Sequence, residues 1–177
     1  MNLIAAVSAN WGIGYKNELL FRIPPDLKRF KKLTMGKTIV MGNNTFKSLP
    51  GQKPLAGRKN IVLSKNPVLI TPPVNDKLNT ENFSLPFYAA SKEHVVEMLR
   101  HEDADEVFII GGEAVYSLFL NDCKRAFITK VNTTAPADRF MQDLDNSPGW
   151  RHVFTSETFY VNGLEYAYCE YVNYLKI

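Results

Sequence analysis

The chain is 177 residues long, 45% hydrophobic and 12% aromatic, enough to fill one core and cramped for two, so a single domain over residues 1–177 is expected. The formal net charge of +3 is modest and the basic residues are spread out, apart from Lys28 to Lys32, so no nucleic-acid-binding face is expected. The start, "MNLIAAVSANW", has no basic region, and no apolar run approaches membrane length, so neither a secretion signal nor a membrane span is expected.

Leu3 to Ser8, "LIAAVS", suits a strand buried on both faces. Ala9 to Leu20 is rich in glycine and asparagine, has no clear periodicity and reads as a long loop. Pro24 then opens a helix, since proline fits the first turn, where its missing N–H would have had no partner. Leu27, Phe30 and Leu33 form its apolar stripe beside Lys28, Arg29, Lys31 and Lys32, and Gly36 supplies a left-handed stop. Asp26 stands in the first turn, where the helix dipole favours a negative charge. It also stands at the edge of the apolar stripe, where partial burial would raise its pKa and suit it to holding a ligand.

Lys37 to Met41 reads as a second buried strand, and Gly42-Asn43-Asn44-Thr45 opens a short helix through Phe46 and Ser48. Arg58 to Ser64 is a third strand. Lys65 to Pro86 is polar and proline-rich, and is expected to be irregular apart from a short strand at Val68 to Ile70. A strand at Phe87 to Ala90 leads to Ser91, a good N-cap for the helix "KEHVVEMLRHE". The buried strand "EVFII" runs into Gly111-Gly112 and a helix, "EAVYSLFL". "RAFITKV" is a further strand, and Asn162-Gly163 between aromatic runs marks a tight hairpin. The order implies an α/β fold: a mainly parallel central sheet with helices on both faces and a C-terminal antiparallel hairpin at one edge.

In such sheets ligands gather beyond the carboxyl ends of the strands. Adjacent glycines at Gly111-Gly112 let backbone approach a ligand and free helix N–H groups for phosphate, and "MGNNT" can do the same, which suits a dinucleotide. The alternative for Gly111-Gly112 is a plain strand-to-helix turn. Gly12-Ile13-Gly14 is no Rossmann fingerprint, because Asn17 occupies the third glycine position and no helix starts there. Cys123 and Cys169 lack a CxxC partner and read as reduced thiols of a cytoplasmic protein. His94, His101 and His152 have no metal-ligand spacing, so no metal is expected.

Taken in order and at these separations, "LIAAVS", "GIGYKNELLFRIPPDLKRFK", "TIVMGNNTFKSLP", "PLAGRKNIVLS", "IIGGEAVY" and "ITKV" make the chain similar to dihydrofolate reductase over nearly its whole length. The resemblance implies reduction of 7,8-dihydrofolate to tetrahydrofolate by NADPH, in the service of one-carbon metabolism and thymidylate, purine and amino-acid synthesis. It assigns Asp26 to hold the pteridine through N3 and the 2-amino group and to promote protonation of N5, with the Thr129 hydroxyl bridging to that acid. Phe21 stands where a tryptophan is common, so a ring N–H that could anchor water is missing.

By the same resemblance Ile4, Ala5, Ala6, Leu27, Phe30, Leu49, Leu55 and Ile110 line the folate pocket, Arg58 grips the α-carboxylate of the glutamate tail and Lys53 adds a looser contact. Ala6, Ile13, Gly14, Gly42, Asn43, Asn44, Thr45, Leu63, Ser64, Lys65, Gly111, Gly112, Glu113, Ala114, Val115 and Tyr116 hold the cofactor, with Lys65 near the 2'-phosphate. Asn43 and Asn44 replace basic residues common after "MG", which leaves the preference for NADPH resting more on Lys65. Leu19 and Leu20 depart from the methionine-proline pair of some bacterial members. The loop from Ala9 to Leu20 closes over the nicotinamide, the pocket is open to antifolate inhibitors, and a monomer is the default.

Two rivals remain. One is a reductase of the same fold acting on pyrimidine intermediates of riboflavin synthesis, against which Asp26 and Arg58 argue together. The other is a non-catalytic nucleotide- or folate-binding module, against which stands the retention of every expected chemical group.

Overall fold

The apolar runs form the centre of one sheet in the computed structural model, which describes residues 1–65 and 85–176. The first half contains β1 (Asn2–Val7), β2 (Gly12–Tyr15), β3 (Glu18–Leu19), α1 (Pro24–Thr34), β4 (Thr38–Gly42), α2 (Asn43–Ser48) and β5 (Lys59–Leu63). After them come β6 (Phe87–Ala89), α3 (Lys92–Met98), β7 (Val107–Gly111), α4 (Glu113–Phe119), β8 (Arg125–Val131), β9 (Arg139–Phe140), β10 (Trp150–Thr155), β11 (Phe159–Val161) and β12 (Leu164–Asn173). The strand expected at Val68 to Ile70, and most of the irregular stretch from Lys65 to Pro86, lie outside the described residues.

Among the described residues the main sheet runs β10-β12-β8-β1-β7-β4-β5-β6, with β11 added to β12. The pairs from β8 through β6 are parallel, and β12 joins β8 antiparallel at one edge, as the hairpin signal implied. Asn162 and Gly163 both have positive φ, the two-residue turn that matches strand twist.

Side chains alternate between two cores, as strand geometry demands. Leu3, Val7, Val40, Ile61 and Ile109 pack with Val95 of α3, with Leu99 just past its end, and with Val115 and Phe119 of α4. Ile4, Ile39, Met41, Val62 and Phe108 pack instead with Phe46 of α2 and with the half-buried Phe30 and Leu33 of α1. Helices therefore cover both faces. Ser91 caps α3 by accepting from His94 N at 3.2 Å. Among the described residues no helix is long and apolar enough to cross a membrane.

Two expectations need correction, and one strand carries no signal in the sequence. The stretch Ala9 to Leu20 is not a plain loop: β2 and β3 form a hairpin, and β2 also pairs with β9. Its turn residues Lys16 and Asn17 both have positive φ, so the conformation usually signalled by Asn-Gly is adopted without a glycine. Leu27 is 46% exposed, so the buried stripe of α1 narrows to Phe30 and Leu33, and Leu27 is left open beside Asp26. Trp150–Thr155 forms an edge strand, β10, whose side chains after Trp150 are exposed, so no alternation signalled it.

Candidate active site

Asp26 enters the fold on the first turn of α1, held there by Pro24 and Pro25 at the helix start. Thr129 lies on β8, 1% exposed, in register with Ala6 of β1 on one side and Tyr168 of β12 on the other. Its hydroxyl donates to Asp26 Oδ1 at 2.5 Å, a charge-assisted bond when the carboxyl is ionised. Burial is the largest influence on Asp26 and raises its pKa, opposed by the Thr129 hydrogen bond and the positive charge of Arg29. The opening residues of α1 thus carry a carboxyl that the Thr129 hydroxyl orients and whose neutral form burial favours.

Around the acid, Ile4, Phe30, Leu49, Leu55 and Ile110 belong to one apolar cluster on the α1–α2 face. Ile110 reaches it through a bulge, since Val40 pairs with Ile109 and Met41 with Gly111, and Ile110 is the extra residue. Ala5 does not join them. Its side chain packs with Leu3 and Val7 on the opposite face, because successive residues of a strand cannot share one. Phe21 sits outside this cluster, packed with Ile23, Val131, Tyr166 and Tyr168.

Arg58 is 6% exposed, and burial lowers its pKa. Its guanidinium donates to Ala56 O at 3.1 Å and to Thr34 Oγ1 at 3.3 Å, and lies 5.8 Å from the Phe30 ring, but has no carboxylate partner among the described residues. The fully buried Asn60 shapes the turn that carries it, bonding Leu55 N, Leu55 O and Arg58 O at 2.8–3.0 Å. A buried guanidinium without a counter-ion is a ready receptor for a carboxylate. Lys53, near it in sequence, is exposed.

The starts of α2 and α4 meet. A Cβ on Gly42 would lie 3.2 Å from Val115 Cγ2, and one on Gly112 would lie 3.2 Å from Thr45 Oγ1. Gly111 has φ +109°, its bond to Gly112 is cis, and a Cβ on it would meet the Tyr116 ring at 2.9 Å. Tyr116 is buried and its hydroxyl donates to Ile4 O at 2.7 Å, tying α4 to the central strand. Asn43, Asn44, Glu113 and Ala114 stand on these two helix starts, while Leu63, Ser64 and the exposed Lys65 follow from β5. The glycines permit two helix N-termini to converge, a donor set suited to phosphates.

Ile13 packs against the α3–α4 side core and Gly14 is pinned between β3 and β9. Their hairpin is tied down by Ala9 N to Thr133 O, Asp138 N to Gly14 O and Lys16 N to Asp138 Oδ2, each at 3.0 Å. Phe140 N donates to Glu113 Oε1 at 3.3 Å, so the same assembly touches α4.

Sequence reasoning missed two neighbours of the acid, Arg29 and Tyr168. Arg29 reads as an exposed base on a helix, and Tyr168 as one aromatic of a hairpin. Only the β8–β12 register brings Tyr168 beside Thr129.

A separate concavity of about 400 Å³ lies where β8, β10 and β12 present Lys130, His152 and Tyr171. Asp26, Thr129 and Arg58 are not among its lining residues, and its polar groups serve each other: Lys130 pairs with Asp145, Tyr171 donates to Asp145 at 2.7 Å, and Thr155 bonds His152 at 2.8 Å.

A family model described as dihydrofolate reductase matches residues 1–173. The dihydrofolate reductase type 3 of Salmonella typhimurium is 33% identical over 176 residues, covering 97% of this chain and 95% of that protein. The dihydrofolate reductase type 9 of Escherichia coli is 29% identical over 174 residues, covering 98% and 93%. The dihydrofolate reductase of Bacillus subtilis (strain 168) is 30% identical over 157 residues, covering 89% and 83%.

Proposed function

The chain belongs to the dihydrofolate reductase family, and from that premise we propose that it reduces 7,8-dihydrofolate to 5,6,7,8-tetrahydrofolate with NADPH, acting as a single-domain, cytoplasmic monomer. The observation that carries the reading is the buried-edge carboxyl of Asp26 oriented by the Thr129 hydroxyl at 2.5 Å. When bound, the nicotinamide supplies the hydride that reduces C6, so the protein itself needs no nucleophile.

The residues present suit that cofactor. The two glycine-rich helix starts, Gly42 to Thr45 and Gly111 to Tyr116, would hold its phosphates, with Leu63, Ser64 and Lys65 at the adenosine end and Ala6, Ile13 and Gly14 toward the nicotinamide. Asp26 accepts two parallel hydrogen bonds from N3 and the 2-amino group of the pteridine and promotes protonation at N5. Burial, which raises its pKa, supports this role, because it makes the carboxyl readier to take a proton than a solvated aspartate. Thr129 fixes which carboxyl oxygen faces the ring. Ile4, Ala6, Leu27, Phe30, Leu49, Leu55 and Ile110 exclude water from the reacting face, with Ala5 contributing backbone alone, and Phe21 closes the edge without a ring N–H. Arg58 takes the α-carboxylate of the glutamate tail, for which its unpaired fork is preorganised, and Lys53 adds a solvent-exposed contact.

The test is loss of NADPH absorbance with purified protein and dihydrofolate, repeated with NADH and with Asp26→Asn. NADPH-specific oxidation is expected, and Asp26→Asn should cut turnover at neutral pH far more than it weakens NADPH binding. Near-wild-type turnover in that variant would overturn the role of Asp26, and turnover of a riboflavin-pathway pyrimidine but not of dihydrofolate would overturn the substrate.

A further inference from the structure

Arg29 follows Asp26 by three residues on α1, a spacing that brings side chains together on a helix surface. Among the described residues it forms no ion pair. Its guanidinium carbon lies instead 4.4 Å from the centroid of the Tyr168 ring and 5.8 Å from that of Phe127. The charge is therefore docked on aromatic faces rather than on a carboxylate, which suits the planar, weakly hydrated guanidinium better than an ammonium.

The platform is itself fixed. Tyr168 contacts the rings of Tyr166 and Phe159 at 5.6 and 5.4 Å, and Tyr166 is buried. Tyr168 pairs in register with Thr129, which bonds Asp26. Arg29, Tyr168 and Thr129 thus gather at the Asp26 carboxyl from α1, β12 and β8.

We propose that Arg29 is a positioning residue for the acid: a cation three residues on from Asp26 along α1, held on the ring of Tyr168, which pairs with Thr129, so that its charge stabilises the carboxylate that Thr129 orients. The other titratable groups facing Asp26 are Tyr116 from α4 and Tyr168 from β12. Burial pushes the Tyr116 hydroxyl upward and the Tyr168 hydroxyl to about 12, so both are neutral at working pH. Arg29 is then a full positive charge acting on Asp26, in the same direction as the Thr129 hydrogen bond.

The inference rests on the reading of Asp26 as the acid of the reaction, and its test separates the two. In ligand-free protein carrying carboxyl-labelled aspartate, the Asp26 signal, assigned by its loss in Asp26→Asn, is titrated by carbon NMR in wild type, Arg29→Met and Arg29→Lys. The midpoint is expected to move to higher pH in Arg29→Met and to return most of the way in Arg29→Lys, with the same order in the pH profile of kcat/KM for dihydrofolate. Should Arg29→Met fail to fold, Arg29→Gln carries the same expectation. An unmoved midpoint in a folded, uncharged variant would overturn the proposal, as would a shift in Arg29→Lys as large as in Arg29→Met. A shifted midpoint in a protein that oxidises no NADPH would support the electrostatic assignment and overturn the reductase reading instead.

Discussion

Replacing Asp26 by Asn is expected to stabilise the fold at neutral pH while abolishing the chemistry proposed for it. Burial outweighs Thr129 and Arg29, so the folded-state pKa of this carboxyl lies above its ordinary 3.8. An acid shifted upward binds more protons folded than unfolded, and stability falls as pH rises from the unfolded pKa through the folded one. Below 3.8 the carboxyl is neutral in both states and carries no penalty; above the folded value the whole penalty is present. Asparagine is nearly isosteric, does not titrate in this range, and its Oδ1 can still accept the Thr129 hydroxyl that now donates to Asp26 at 2.5 Å. The gain at pH 7 should be about 1 kcal/mol, the scale for relieving one unfavourable group at a functional site. For a chain of this length that corresponds to a Tm higher by about 2–4 °C. Thermal unfolding of both proteins from pH 4 to pH 8 at constant ionic strength is the assay. The difference should be smallest at the acid end, widen with pH and level off once Asp26 is fully ionised. A loss of stability at pH 7, or a gain of equal size at every pH, would refute the claim that burial dominates this carboxyl.

Arg58→Leu should raise the KM for dihydrofolate about tenfold or more, since hydrogen bonds to a charged group contribute about 1.5–3 kcal/mol, and leave a pterin substrate without the glutamate tail unaffected. Equal losses on both substrates would sink the assigned contact. Gly111→Ala should lower Tm by several degrees, because a side chain at φ +109° costs about 1–3 kcal/mol and its Cβ would meet the Tyr116 ring at 2.9 Å. NADPH binding, measured by fluorescence titration, should weaken with it, and an unchanged Tm would contradict the crowding at this turn.

The parts of the fold that were legible are those whose physical cause is local. A strand covered by helices on both faces must be apolar on both, and "LIAAVS", "TIVMG" and "EVFII" show that as uninterrupted runs. The β2–β3 hairpin and the edge strand β10 lacked such a signal, one because Lys16 and Asn17 take up a left-handed turn without glycine, the other because its side chains face solvent. The same division runs through the site. Asp26 was legible as an acid set apart by two prolines, and the two glycine-bearing helix starts as a place for phosphate. Period-two alternation puts the Ala5 side chain on the face opposite Ile4, which leaves its backbone alone toward the site. What surrounds Asp26 is not local at all: Thr129 and Tyr168 meet only through the pairing of β8 with β12. A slip of β12 by one residue would set Ala167 or Cys169 opposite Thr129 and turn the Tyr168 ring to the other face of the sheet. Arg29 would then lose its platform, and its charge would relax toward solvent, where screening weakens it. The identity of the acid therefore belongs to one short stretch of sequence, whereas its readiness to accept a proton is a property of the register between two strands at the far end of the chain.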